Sequence, residues 1–233
     1  MFHHKKDIFF DLDHTIWDFD KNAEETLYEL YPKYGFNKLF DRENPDLFIE
    51  VYTTNNHKVW DLYHRGIIDK ATLRKLRFAN TFSELGVDPS LFPAAFEEEY
   101  LTVCPTKTNL FPDAHETLQY LQKKYHLHLI SNGFREACEK KLQHSKLANY
   151  FKTIVISEIF GVNKPDRRIF EHALTNGKTN KDDAVMIGDN IDADIRGAMA
   201  VGMDAIYFNP TGAARPADVR YMVIDLKELQ HIF

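Results

Sequence analysis

Apolar positions along the chain follow two different rhythms. From Ile8 to Phe10 they run without interruption and then stop at Asp11-Leu12-Asp13-His14-Thr15, which predicts a short buried strand that delivers two carboxylates and a hydroxyl to its carboxyl end. From about Lys21 to Glu99 the spacing is helical, as in Leu27, Leu30 and Tyr31, then Leu47, Phe48 and Val51, then Val59, Trp60 and Tyr63. Asp69 is placed to cap a helix over 70–78, and Gly86 stands where a helix should end. From Asp113 onward strand and helix patterns alternate. A capping-box variant at Asp113 predicts a helix to about Lys124, and strands are predicted at 126–131, 153–157, 184–188, 204–208 and 221–224. Strands separated by single helices imply an α/β fold with a parallel, doubly wound sheet. The helical segment is then an insertion after the first strand.

Short linkers near Trp17 and near Thr102 divide the chain into a core of residues 1–17 and 105–233 and a helical insert of 18–104. A length of 233 residues is enough for such a core plus a smaller insert. The net charge of -6, with the cations dispersed, leaves no basic stripe for a nucleic acid polymer. An anionic substrate would have to be held by a few local cations. Cys104 and Cys138 have neither metal-ligand spacing nor the density of a disulfide scaffold, which favours a reducing compartment. No apolar run has the length of a signal peptide's core or a membrane span, so a cytoplasmic protein with no membrane partner is expected.

In a parallel sheet all carboxyl ends lie on one edge, and four polar groups fall there: Asp11 with Asp13, Ser131 with Asn132 and Gly133, the loop carrying Lys164, and Asp189 with Asp192 and Asp194. Carboxylates gathered in this way repel one another unless a hard divalent cation binds them through oxygen or one keeps a proton. Mg²⁺ fits. A carboxylate such as Asp11 beside Mg²⁺ can attack phosphorus and form an aspartyl phosphate, which splits a hard hydrolysis into two easier steps. Asp13, crowded by other acids, could carry the proton that the leaving alkoxide needs. The Ser131 hydroxyl and the backbone N–H groups of Asn132 and Gly133 could hold phosphoryl oxygens, with Lys164 balancing charge.

Competing readings of these residues are weaker. A calcium loop starting at Asp11 would need an oxygen ligand at Thr15 and a glycine at Ile16, and one starting at Asp192 would put Arg196 at a ligand position. His126 and His128 share a strand face but lack a third zinc ligand. Taken singly, an Asp-x-Asp is a turn or cap, a loop lysine is solvated, and a strand-end serine bonds backbone. Their order at successive strand ends is what points to a site.

Asp11-Leu12-Asp13-His14-Thr15, Ser131-Asn132-Gly133, Lys164-Pro165 and Gly188-Asp189-Asn190-Ile191-Asp192-Ala193-Asp194 resemble the four ordered motifs of the haloacid dehalogenase superfamily. The match spans the Rossmann-like core, and the helical insert resembles that family's C1 cap. The resemblance implies Asp11 as nucleophile, Asp13 as acid/base, Ser131 and Lys164 as phosphoryl binders, and Mg²⁺ held by Asp11, the Asp13 backbone carbonyl and Asp189, with Asp194 supporting from nearby. Asp13 also speaks for phosphatase over dehalogenase chemistry, because the dehalogenases of the family lack it. Ser131-Asn132-Gly133-Phe134 and the stretch from Val155 to Pro165 are similar to the branch that includes pyrimidine 5′-nucleotidases. His14 departs from the small or acidic residue usual at its position.

The expected activity is therefore Mg²⁺-dependent hydrolysis of a small phosphorylated metabolite, with a nucleoside monophosphate favoured. A sugar-phosphate phosphatase or phosphomutase is the alternative within the family. A phosphoacceptor signalling module is the alternative outside it, and the insert after the first strand has no use there. Cap rings such as Tyr52, Trp60, Tyr63 and Phe78, or Trp17 and Phe19 at the hinge, could stack on a base or simply pack a small core. Arg74 and Arg77 share one side of a helix and could reach a phosphate or remain surface charges.

Overall fold

The computed structural model describes residues 2–233. The first strand, β1 (Asp7–Phe10), is followed by the helices α1 (Phe19–Lys33), α2 (Asp46–His64), α3 (Lys70–Glu84) and α4 (Ala94–Val103). Then strand and helix alternate: α5 (Ala114–Leu121), β2 (His126–Ser131), α6 (Arg135–His144), β3 (Phe151–Ile156), α7 (Arg167–Gly177), β4 (Ala184–Gly188), β5 (Asp204–Phe208) and β6 (Tyr221–Val223). Two compact units result, one of residues up to Phe19 with Thr108–Phe233, the other Asp20–Lys107.

The strands form one parallel sheet in the order β3-β2-β1-β4-β5-β6. β1 is central and buried on both faces, which accounts for its unbroken apolar run. Phe10 is level with Leu129 of β2 and Ile187 of β4, so one step further along each strand come Asp11, Ile130 and Gly188. That register brings the polar ends of three neighbouring strands together. Beneath them, Phe9, Ile130 and Met186 pack with Ile169 and Phe170 of α7 and with Ile195. At the other end of the sheet, buried His128 is bonded on both ring nitrogens, to Asp7 Oδ1 at 2.9 Å and Thr153 Oγ1 at 2.7 Å. It staples β1, β2 and β3 together, a structural role.

The segments entering and leaving the insert pair with each other. Trp17 bridges Leu110, the Phe111 N–H donates to the Ile16 carbonyl at 3.0 Å, and the Asp18 N–H donates to the Asn109 carbonyl at 3.1 Å.

Within Asp20–Lys107, aromatic residues make the core. Phe36 touches Phe82 at 5.3 Å and Phe96 at 4.8 Å between ring centroids, and Tyr52 stacks on Phe78 at 4.9 Å. Tyr52 and Phe78 are buried there and offer no face to a base, whereas Trp60 and Tyr63 on α2 are half-buried. Arg77 is neither a surface charge nor a phosphate ligand: it is 3% exposed and shares Glu97 with Arg74, at 3.0 and 3.3 Å. Asp69 caps α3 as expected, accepting from the Thr72 N–H, and the Gly86 N–H closes that helix on the Ser83 carbonyl.

Two local expectations fail. Asp113 adopts a left-handed backbone (φ 59°) and its side chain makes no cap bond, so no capping box forms; at its other end α5 stops at Leu121. After β4 the chain does not enter an ordinary helix. Residues Ile191–Arg196 form a π-helical turn before a short helix at Gly197–Ala200. The wider turn lets Asp194 fold back toward the end of β4, which matters for the site.

Candidate active site

Asp11 immediately follows β1, held by its N–H to the Ile187 carbonyl at 2.9 Å. Asp11 is 7% exposed, and its carboxylate accepts from Lys164 Nζ at 2.5 Å. Lys164 also lies 2.6 Å from Asp194 Oδ1 and donates to the Ile130 carbonyl at 2.7 Å, so three oxygens from three chain segments surround one buried ammonium. The lysine loop is clamped by a side chain. Asn132 Oδ1 accepts from the Lys164 N–H at 2.8 Å, while Asn132 Nδ2 donates to the Lys164 carbonyl at 3.0 Å.

Asp194 reaches this cluster because residue 188 is glycine. A Cβ there would stand 2.6 Å from the Cβ of Asp194. Asp194 Oδ2 accepts from the Asn190 N–H at 3.0 Å, and Asn190 in turn caps the π-helical turn through the N–H groups of Asp192 and Ala193. Asp189 accepts from the buried Thr15 hydroxyl at 3.2 Å. Asp192 instead points outward, ion-paired with Arg196 at 2.6 Å.

The carboxylates of Asp11, Asp189 and Asp194 offer oxygens that all lie within 4.8 Å of one another. Burial, with Asp194 and Asp189 beside it and only partly offset by Lys164, holds the Asp11 carboxyl well above the usual carboxylate range. Burial and the neighbouring Asp194 push Asp189 up to about 8. Burial disfavours the Lys164 ammonium, but Asp11 and Asp194 outweigh it and raise the lysine above its ordinary value. With all three acids ionised, one cation leaves excess negative charge, and the donors are all hard oxygens. This set fits Mg²⁺ and forms a Mg²⁺ site. Asp194 has both oxygens engaged, by Lys164 and by the Asn190 N–H.

Ser131 ends β2, and its Oγ accepts the Gly133 N–H at 3.0 Å. That N–H was expected to face a phosphoryl oxygen; here it is turned onto the serine, a tight Ser-x-Gly turn. A Cβ on Gly133 would meet Cys138 Sγ at 2.6 Å, so only glycine fits the turn. Burial pushes the Cys138 thiol up to about 12, which leaves it a protonated packing group.

Asp13 does not join the carboxylate cluster through its side chain. Its Oδ1 accepts from Lys141 Nζ at 2.5 Å. His14, next in the chain, is in the left-handed region (φ 61°), where glycine, asparagine or aspartate is cheaper. The sequence reading placed the Thr15 hydroxyl at the strand end without a partner, and gave no role to Lys141, Asn190 or the side chain of Asn132. Only Lys141 left a trace there: it sits three residues after Cys138, on the inward stripe of α6, where a lysine is out of place.

A central parallel sheet with a helical insertion after its first strand, and this set of groups at its carboxyl edge, defines a hydrolase of haloacid dehalogenase type. The chain belongs to the haloacid dehalogenase-like hydrolases, whose family model matches residues 8–208. It is 28% identical over 228 residues to the pyrimidine 5′-nucleotidase YjjG of Escherichia coli, covering 97% of this chain and 96% of that protein. It is similar to the HAD-hydrolase YfnB of Bacillus subtilis, whose magnesium-bound crystal structure superposes with a TM-score of 0.85 at 26% identity over 98% of both chains. It is 31% identical over 209 residues to the glyceraldehyde 3-phosphate phosphatase of Pyrococcus furiosus, covering 87% of this chain and 80% of that one. Among the described residues no helix is long and apolar enough to cross a membrane.

Proposed function

We propose that this Mg²⁺-dependent phosphatase is a 5′-nucleotidase acting on nucleoside monophosphates, with pyrimidine nucleotides preferred. The observation that carries the substrate is the end-to-end similarity to a pyrimidine 5′-nucleotidase. In the cap unit, the half-buried rings of Trp60 and Tyr63, 5.5 Å apart on α2, offer apolar surface for a base.

The roles proposed here are ones the site's geometry supports. Asp11 is the nucleophile: a carboxylate oxygen attacks phosphorus, the bond to the ester oxygen breaks, and its electron pair leaves with that oxygen. Asp13 gives the departing alkoxide its proton. Water then attacks the aspartyl phosphate, loses a proton to Asp13 and releases Asp11 and inorganic phosphate. Lys164 favours the charged form of Asp11, orients it and meets the charge on the phosphoryl group, and the Ser131 turn with Asn132 and Gly133 frames its oxygens. Mg²⁺ would be held by Asp11, Asp189 and the Asp13 backbone carbonyl with Asp194 in support, and supplies positive charge to the phosphoryl oxygens.

A second reading, a triose- or sugar-phosphate phosphatase, is favoured by the 31% identity to the Pyrococcus protein. Mg²⁺-dependent phosphate release from UMP, CMP, dUMP, AMP, glyceraldehyde 3-phosphate and hexose phosphates decides between them. The highest kcat/KM is expected for the pyrimidine nucleotides, and a clear preference for triose or hexose phosphates would overturn the nucleotidase assignment.

A further inference from the structure

Lys141 has no part in the chemistry above, yet its place is costly for a lysine. It is 4% exposed on the inward face of α6. A buried ammonium must be paired, and here the partner is Asp13. The Lys141 Nζ also lies 4.3 Å from the centroid of the Trp17 ring and 5.2 Å from that of Phe19, within cation–π range. Trp17 is anchored by its N–H to the Leu12 carbonyl at 2.9 Å and by its bridges to Asp13 and Leu110. The loop that carries Asp13 thus builds the aromatic wall of the lysine's own pocket.

The consequence is that the two oxygens of Asp13 are no longer equivalent. Oδ1 is tied to Lys141. Oδ2 lies beside the Ser131–Gly133 turn, where a Cβ on Gly133 would come 3.6 Å from it. An untethered aspartate would sample other χ1 and χ2 rotamers, and proton transfer needs hydrogen-bond reach of the reacting oxygen.

We propose that Lys141 is a positioning residue for proton transfer, holding Asp13 by Oδ1 so that Oδ2 faces the reacting oxygen. The inference rests on the acid/base role proposed for Asp13. In the first step the proton passes from Oδ2 to the ester oxygen as the bond from that oxygen to phosphorus breaks. In the second, a water proton returns to Oδ2 as the water oxygen bonds to phosphorus and the aspartyl phosphate opens.

Leaving-group dependence tests this. An alkyl phosphomonoester such as UMP needs its leaving oxygen protonated, whereas p-nitrophenyl phosphate expels a stable phenolate without help. In Lys141→Met, kcat/KM for UMP should fall about 10²-fold while that for p-nitrophenyl phosphate falls less than about threefold. Lys141→Arg, which keeps a charged donor, should recover part of the loss. Lys141→Gln, close in length and still polar, carries the same test if the methionine variant does not fold. An equal loss on both esters would mark Lys141 as merely structural, and a gain on UMP would mean that it restrains the acid; either overturns the proposal. Asp13→Asn is measured beside them. If that variant lacks the leaving-group signature, the acid/base assignment itself fails; if it shows the signature and Lys141→Met does not, only the role of Lys141 falls.

Discussion

Lys164 and Asp194 are each 1% exposed and face each other, Nζ to Oδ1, at 2.6 Å. One comes from the loop before α7 and the other from the turn after β4, and neither could be buried without its partner. Truncating one partner of such a pair leaves an uncompensated charge, which typically costs about 3–5 kcal/mol. Lys164→Met should lose stability of this order in urea unfolding without metal. The loss should shrink when Mg²⁺ is added, because the ion takes over charge balance for Asp11 and Asp194.

The two aspartates of the first loop should fail differently. Asp11→Asn removes the attacking oxygen and should abolish phosphate release, with no phosphate adduct detected by mass spectrometry during turnover. Asp13→Asn keeps the nucleophile and should slow kcat/KM for UMP by at least on the order of 10²-fold. Normal turnover by purified Asp11→Asn would falsify the aspartyl-phosphate mechanism.

Gly188 is a position where a single methyl group should act on the metal. Its added carbon would collide with Asp194, so Gly188→Ala must push that carboxylate off Lys164. Overpacking of this kind costs about 1–3 kcal/mol. Titration of Mg²⁺ by calorimetry should show weakened binding, and unchanged affinity would mean that Asp194 does not support the ion.

Metal binding and pH should be linked through Asp189. Its carboxyl is pushed up to about 8 in the folded, metal-free chain, above the unfolded value near 4. The folded state then binds more protons than the unfolded one between those values, so stability from this group is full at low pH and is lost as pH rises toward 8. Thermal melts without metal should therefore decline over that window. Because Mg²⁺ competes with the proton, a fixed Mg²⁺ concentration should raise the melting temperature more at pH 8 than at pH 5.5, and the reverse order would contradict the assignment.

His128 should act in the opposite direction. Burial lowers its pKa from 6.5, against the pull of Asp7. The unfolded chain then takes up the proton more readily, so the stability contributed by neutral His128 is present above pH 6.5 and is lost as pH falls below it. The difference in unfolding free energy between the wild type and His128→Asn, from urea unfolding between about pH 5 and 7.5, should shrink as pH falls below 6.5, and a pH-independent difference would contradict this role.

The chain carries much of its architecture in one dimension. An apolar run ending in Asp11, a polar stop after each later strand and helical spacing from Lys21 to Glu99 are local patterns, and local patterns report which face of an element is buried. They were sufficient for the α/β class, the helical insertion and the strand ends that carry Ser131 and Asp189. The loop carrying Lys164 and the separate jobs expected of Asp11 and Asp13 were also read from the strand ends, and the resemblance to known motifs added the expected Mg²⁺ ligand set. By contrast, Arg77 looks like a surface charge in the sequence, and the inward place of Lys141 does not name its partner, because burial of a charge depends on a residue far away in the chain, Glu97 or Asp13.

What the sequence by itself determined is that carboxylates, a hydroxyl and a lysine gather on one edge of a parallel sheet, since chain direction alone dictates that. Only the tertiary structure decided how they share contacts. Lys164 goes to Asp11 and Asp194, Thr15 to Asp189, Asn132 to the lysine loop, and Asp13 to Lys141 rather than to the metal cluster. These pairings depend on sheet register, on the width of the turn after β4 and on the space left by Gly133 and Gly188, and each is a matter of distances between residues remote in sequence.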